Sequence, residues 1–243
     1  MFGFLVSRML PIIPKRVVRS VASRYVAGDN LETAFVKTQE LSRSGYLFTM
    51  DVLGEDASTP EHADAAVKDY LDTLDGIAKR GLPSTVSVKL THIGLRLDQT
   101  ESEARLTRII EAAKATGTSV CIDMEDAGLT DTTIEIFRRM RDRHGNVTSV
   151  LQAYLRRTES DARHLAGEGV SVRLCKGIYT EPKEIAFKKR EEIRASYLRT
   201  AEVLLTSERC FVGLATHDRE LVDRLQAMIA RLGIAGDRYE FQA

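Results

Sequence analysis

The chain has no tryptophan, only three cysteines and five prolines in 243 residues, and no excess of either charge: 35 basic side chains face 35 acidic ones. Each shortage excludes a class. The cysteines, Cys121, Cys175 and Cys210, are odd in number and lack metal-ligand spacing, so a disulfide-stapled scaffold is excluded. They fit a reducing, cytoplasmic setting in which each packs as a small apolar residue. A net charge of zero without a run of five like charges leaves no basic stripe for phosphate backbones, and no nucleic-acid partner is expected. The longest apolar stretch, Met1 to Ile13, is broken by Arg8 and falls short of the roughly 20 residues of a membrane span, so it reads as a docking or surface-lying helix. Behind it, Lys15, Arg16, Arg19 and Arg24 alternate with Val17, Val18, Val21 and Val26. That basic amphipathic pattern is compatible with peripheral contact to the inner face of the cell membrane, and equally with a helix packed on its own domain.

What is present is clear punctuation. Helix starts are expected at Thr59-Pro60-Glu61, at Thr100 with Glu103 as a capping box, at Thr130-Asp131, at Thr158, at Pro182 and at His217-Asp218. Matching stops fall at Gly81, near Gly117, at Gly145 and at Gly233. Between the helices lie β-rich runs at 46–53, 85–91, 119–124, 148–154, 170–176, 210–216 and 238–242. Alternating strands and helices predict a parallel α/β sheet, with a helical segment over 1–44 and the sheet domain over 45–243. No G-x-G-x-x-G turn or Walker loop follows the first strand, which disfavours a doubly wound dinucleotide-binding sheet. Instead, nearly every strand ends in reactive side chains: Asp51 and Glu55, Lys89, Asp123 with Glu125 and Asp126, Gln152 and Tyr154, Arg173 and Lys176, Thr216 with His217 and Asp218, and Gln242. Function gathered at the carboxyl ends of all strands is the layout of a (β/α) barrel.

Period-2 alternation sharpens this. Ser87 and Lys89 alternate with Val86, Val88 and Leu90; Cys121 and Asp123 with Val120, Ile122 and Met124; Ser171 and Arg173 with Val170, Val172 and Leu174. If the aliphatics face the helices, Lys89, Asp123 and Arg173 point inward. Lys89 and Asp123 sit on adjacent strands and are expected to pair, leaving Arg173 as an uncompensated cation for an anionic or electron-rich ligand. A purely architectural ion network is the alternative.

These residues resemble the proline dehydrogenase family, most of all its short monofunctional bacterial enzymes. The likeness runs through Asp51-Val52-Leu53-Gly54-Glu55, Ser87-Val88-Lys89-Leu90-Thr91, Ile122-Asp123-Met124-Glu125-Asp126, Leu151-Gln152-Ala153-Tyr154-Leu155-Arg156-Arg157, Val172-Arg173-Leu174-Cys175-Lys176-Gly177-Ile178-Tyr179, Ala215-Thr216-His217-Asp218 and Glu240-Phe241-Gln242. The resemblance implies a distorted TIM-type (β/α)8 barrel with N-terminal helices. It also implies FAD as cofactor, oxidation of L-proline to Δ1-pyrroline-5-carboxylate, and a quinone as electron acceptor. By the same resemblance Lys89 holds the proline carboxylate, Asp123 orders Lys89, Tyr179 lines the substrate pocket and Arg173 lies by the flavin ring. Met124, Gln152, Lys176, Gly177, Ile178, Thr216, His217 and Gln242 match flavin contacts, with Ile178 standing where the family usually has alanine. Gly177 would let the backbone approach a flat cofactor.

Only seven strands are recognisable before Ala243, and the expectation is a barrel lacking the eighth β/α unit, which in the family supplies a tyrosine and two arginines for the proline carboxylate. Two other functions stand beside the flavoenzyme: an inactive truncated barrel serving as a scaffold, and a Schiff-base enzyme using Lys89 or Lys176 as its amine.

Overall fold

The computed structural model describes residue 28, residues 30–54 and residues 56–243. The expected docking helix of 1–13, the basic pattern from Lys15 to Val26, and Glu55 lie outside the described residues. The chain divides into two compact units. One holds the described residues up to Phe48 together with Asp75–Ser84, and the other holds Thr49–Leu74 and Thr85–Ala243.

In the first unit, helix α1 (Leu31–Ser42) is capped by Asn30, whose side chain accepts from the Thr33 amide at 3.0 Å. The α1 residue Phe35 is buried, Arg80 stacks over its ring at 4.3 Å, and Arg80 also reaches Glu32 at 2.7 Å. Arg80 ends helix α2 (Pro60–Arg80), whose proline occupies the first turn, where an N–H would have had no intrahelical partner. Glu61 at its start and Lys79 and Arg80 at its end oppose the helix dipole. Gly81, with φ of +58°, stops it where the sequence predicts.

The strands form one seven-stranded sheet in the order β1 (Phe48–Asp51), β2 (Ser84–Val88), β3 (Val120–Ile122), β4 (Val147–Gln152), β5 (Ser171–Cys175), β6 (Phe211–Ala215) and β7 (Tyr239–Gln242). Every pairing from β2 to β7 is parallel. Because spatial order equals chain order, the sheet has no point at which the order reverses; this is barrel topology and not a doubly wound sheet. Helices α3 (Gln99–Ala115), α4 (Thr130–His144), α5 (Thr158–Glu168), α6 (Arg190–Thr206) and α7 (Arg219–Leu232) follow successive strands from β2 onward. One parity of β2, β3, β5 and β6, Val86 and Val88, Ile122, Val172 and Leu174, Val212 and Leu214, is fully buried and lies in the core. The fold is the α/β class expected.

Two helix starts differ from the sequence reading. The cap of α3 is Asp98, which accepts from the Glu101 amide at 2.9 Å, and not Thr100, so the Asp98 carboxylate outcompetes the hydroxyl two residues on. Pro182 opens a turn, and α6 starts only at Arg190. The intervening chain is claimed by tertiary backbone bonds, Arg156 N to Ile185 O at 2.8 Å and Phe187 N to Tyr154 O at 2.8 Å, which a helix there would forfeit.

Candidate active site

All the described candidate side chains belong to the larger unit. Strand alternation brings Lys89, Asp123 and Arg173 together as the period-2 pattern requires. The Lys89 ammonium donates to both carboxylate oxygens of Asp51, at 3.1 and 3.0 Å, and to Asp123 Oδ2 at 3.3 Å. Burial pulls the Lys89 pKa down, but the charges of Asp123 and Asp51 outweigh it and the net shift is upward. Asp123 Oδ1 accepts from Ser87 Oγ at 2.7 Å and from Arg173 Nη1 at 3.5 Å. Arg173 also donates to Ser87 Oγ at 3.0 Å and to Thr49 Oγ1 at 3.0 Å. The small residues one layer below the charges thus act as hinges of the network.

The expectation that Arg173 lacks a carboxylate fails. Asp51, at the end of the short strand β1, takes Lys89 in both its oxygens, which frees one oxygen of Asp123 for Arg173. Two cations meet two anions, and the cluster is balanced. What remains unsatisfied is the Arg173 Nε–H, buried without a hydrogen-bond partner.

Beside this cluster lies a carboxylate that its charge would have placed on the surface. Glu125 is 4% exposed and accepts from the Thr91 amide at 3.0 Å and the Thr91 hydroxyl at 2.5 Å. Burial pushes its pKa up. Its backbone carbonyl accepts from Gln152 Nε2 at 2.6 Å, and Gln152 is itself buried. The ends of β2, β3 and β4 are thereby tied together. Met124, between Asp123 and Glu125, is also buried.

A second group forms at the ends of β5, β6 and β7. The Thr216 amide donates to the Gln242 carbonyl at 3.0 Å, and Thr216 Oγ1 accepts from the Asp218 amide at 3.1 Å. Gln242 Nε2 donates to Glu240 at 2.6 Å. Asp218, buried at the start of α7, takes Arg194 Nε and Nη2 at 2.9 and 2.7 Å and draws Lys176 Nζ to 3.4 Å. His217 is exposed at the same rim. Gly177 has φ of +100°, and a Cβ there would stand 2.1 Å from Tyr154 Cδ1. In this structure the missing side chain leaves room for the Tyr154 ring. Tyr179 packs against Tyr154, Leu155 and Ala186, and burial raises its phenol pKa. Ile178 is 88% exposed.

Cys121 and Cys210 are buried and Cys175 is partly so; all three are free thiols. Burial pushes Cys121 up to about 12 and Cys175 up to about 11, so neither is an activated nucleophile. Among the described residues no group of acids, histidines and cysteines could hold a metal, and no helix is long and apolar enough to cross a membrane.

Sequence reasoning named Asp51 as a strand-end residue without giving it a role, and it missed Glu125 and Asp218 as braces. The signal for Asp51 was its place as the last residue of β1, the neighbour of the strand that leads to Lys89, and as the first residue of the Asp51–Glu55 motif.

The sequence model of proline dehydrogenase matches residues 34–243. The chain is 32% identical over 224 residues to proline dehydrogenase 2 of Bacillus subtilis (strain 168), covering 92% of this chain and 74% of that one. It is also 32% identical over 228 residues to the proline dehydrogenase of Deinococcus radiodurans, covering 92% and 73%. In fold it is similar to a crystal structure of proline utilization A (PutA) from Bdellovibrio bacteriovorus, with a TM-score of 0.85 at 22% identity, covering 93% of this chain and 28% of that one. A barrel-ordered sheet with lysine, aspartate and arginine converging at its strand ends, matched over most of its length by that family, leaves one assignment: the chain belongs to the proline dehydrogenase family.

Proposed function

We propose that this chain oxidises L-proline to Δ1-pyrroline-5-carboxylate with FAD as cofactor and a quinone as the final electron acceptor. The observation that carries the reading is the convergence of Lys89, Asp123 and Arg173 at the carboxyl ends of β2, β3 and β5 in a chain of this family. The chemistry FAD supplies when bound is acceptance of a hydride from the carbon beside the proline nitrogen.

The residues present suit such a cofactor. The orphaned Nε–H of Arg173 offers a buried cationic donor to an electron-rich ring, and a fixed cation stabilises negative charge that develops during the reaction. Lys176, half-exposed at the rim, and Thr216, His217 and Gln242 would hold the cofactor, with Met124, Gln152, Gly177 and Ile178 as further contacts. Lys89 would bind the substrate carboxylate, Asp123 would fix the directions of Lys89 and Arg173, and Tyr179 would close the apolar side of the pocket. The raised pKa of Lys89 keeps it an ammonium, which suits carboxylate binding and disfavours the Schiff-base reading. Peripheral contact with the inner face of the membrane would bring the protein to its quinone.

The test is to load the 243-residue chain with FAD and add L-proline without oxygen. Bleaching of the flavin absorbance by proline, and dye-coupled turnover without NAD, is the expected result. A folded chain that takes up no FAD, or whose flavin proline leaves oxidised, would overturn the proposal.

A further inference from the structure

We infer that Asp51 makes the site selective for a zwitterion: it holds Lys89 in this structure and passes to the substrate's ammonium when the substrate's carboxylate takes Lys89. The inference rests on the proposed function and adds to it the group that reads the amine.

The two carboxylates beside Lys89 differ in what they can do. Asp123 is committed on both oxygens, to Ser87 and Arg173 through Oδ1 and to Lys89 through Oδ2, and its side chain is 19% exposed. Moving it would strip Arg173 of its anion. Asp51 spends both oxygens on the single Nζ of Lys89, at 3.1 and 3.0 Å, and its side chain is 38% exposed at the end of β1. A carboxylate accepts about four hydrogen bonds, so Asp51 retains acceptor capacity on the side open to solvent. It is the member of the cluster able to change partners.

Charge decides which ligand profits. A ligand bearing only a carboxylate that binds Lys89 displaces Asp51 and leaves two anions side by side with one cation between them. A ligand that carries an ammonium next to its carboxylate replaces one internal pair by two external ones, and the balance of two cations with two anions is extended to three with three. The two N–H bonds of a secondary ammonium match the two oxygens of Asp51.

The matched ligands are 1-aminocyclopentane-1-carboxylate and cyclopentanecarboxylate, which share a five-membered ring and differ by the ammonium. Calorimetric titration of both into the FAD-loaded chain should show the zwitterion bound at least about tenfold more tightly, the factor that one charge-assisted hydrogen bond carries. Asp51→Asn and, independently, Asp51→Ser should abolish that preference, weakening the zwitterion while strengthening the plain carboxylate, which no longer competes for Lys89. Asp51→Glu should keep it. Either neutral variant with the ratio unchanged, or with both ligands weakened equally, overturns the inference while leaving the proposed function standing. An unsubstituted chain that neither binds the zwitterion nor reduces its flavin with proline overturns both.

Discussion

Arg173 contributes two separable things at the scale of single residues: a charge and a fork. Its two terminal nitrogens reach Asp123 and Ser87 on one side and Thr49 on the other, a span that a lysine ammonium cannot cover. Arg173→Met should slow proline-dependent flavin reduction by roughly 10²-fold, the usual cost of removing one preorganised charge-stabilising group, and Arg173→Lys should recover only part of it. Rapid mixing without oxygen measures both, and an unmodified rate in the methionine variant would remove Arg173 from the mechanism. The position of this residue was legible in the sequence because alternation with Val172 and Leu174 fixes its face. That Asp123 is free to pair with it was not, since β1 contributes four residues and shows too little alternation to place Asp51, the second carboxylate on Lys89. Glu125 was illegible for a different reason: a buried carboxylate is recognisable only from the Thr91 amide and hydroxyl that satisfy it, and those lie beyond the end of another strand.

At the scale of elements, local rules and tertiary packing compete, and two positions show which wins. Gly76 lies inside α2, where alanine would ordinarily be favoured by about 1 kcal/mol. A Cβ at that point would stand 2.2 Å from the Phe35 ring, and overpacking of this kind costs about 1–3 kcal/mol. Gly76→Ala should therefore lower the thermal midpoint, and a rise would mean that Phe35 moves aside freely. Asp218 is the second case. Hydrogen bonds from Arg194, with the nearby Lys176 charge, hold its carboxyl well below the usual aspartate value of 3.8 against the opposing effect of burial. A depressed carboxylate pKa stabilises the fold above the unfolded value and loses that contribution as pH falls toward the folded one. Asp218→Asn should thus destabilise most near pH 7, with the gap to the unsubstituted chain closing below about pH 3.8; denaturation midpoints across pH measure it, and a pH-independent gap would show that the ion pair is not its source. The same competition explains what the sequence misjudged among the elements. Stops at Gly81, Gly145 and Gly233 are local, set by left-handed backbone, and were readable. The turn after Pro182 is held by backbone bonds from Tyr154 and Arg156, some 30 residues earlier, and no window around Pro182 contains that information.

At the scale of the whole molecule, the order of the sheet was readable because helices and strands alternate without a glycine-rich reversal, and the membership of the family follows from motifs set at successive strand ends. The balanced quartet of Asp51, Lys89, Asp123 and Arg173 also bears on how a substrate arrives. The quartet carries no net charge, the chain's formal charge is likewise zero, and a zwitterion has no net charge on which a field could act as a monopole. Steering by net charge is then expected to contribute little to encounter, and there is little for counter-ions to screen beyond about 10 Å, the Debye length in 0.1 M salt. The second-order rate constant for proline should accordingly stay flat as ionic strength is raised from about 10 to 300 mM, a range in which steered encounters slow severalfold. This enzyme gathers its substrate by contact and not by attraction from afar, and its rate of capture will follow the concentration of proline rather than the saltiness of its surroundings.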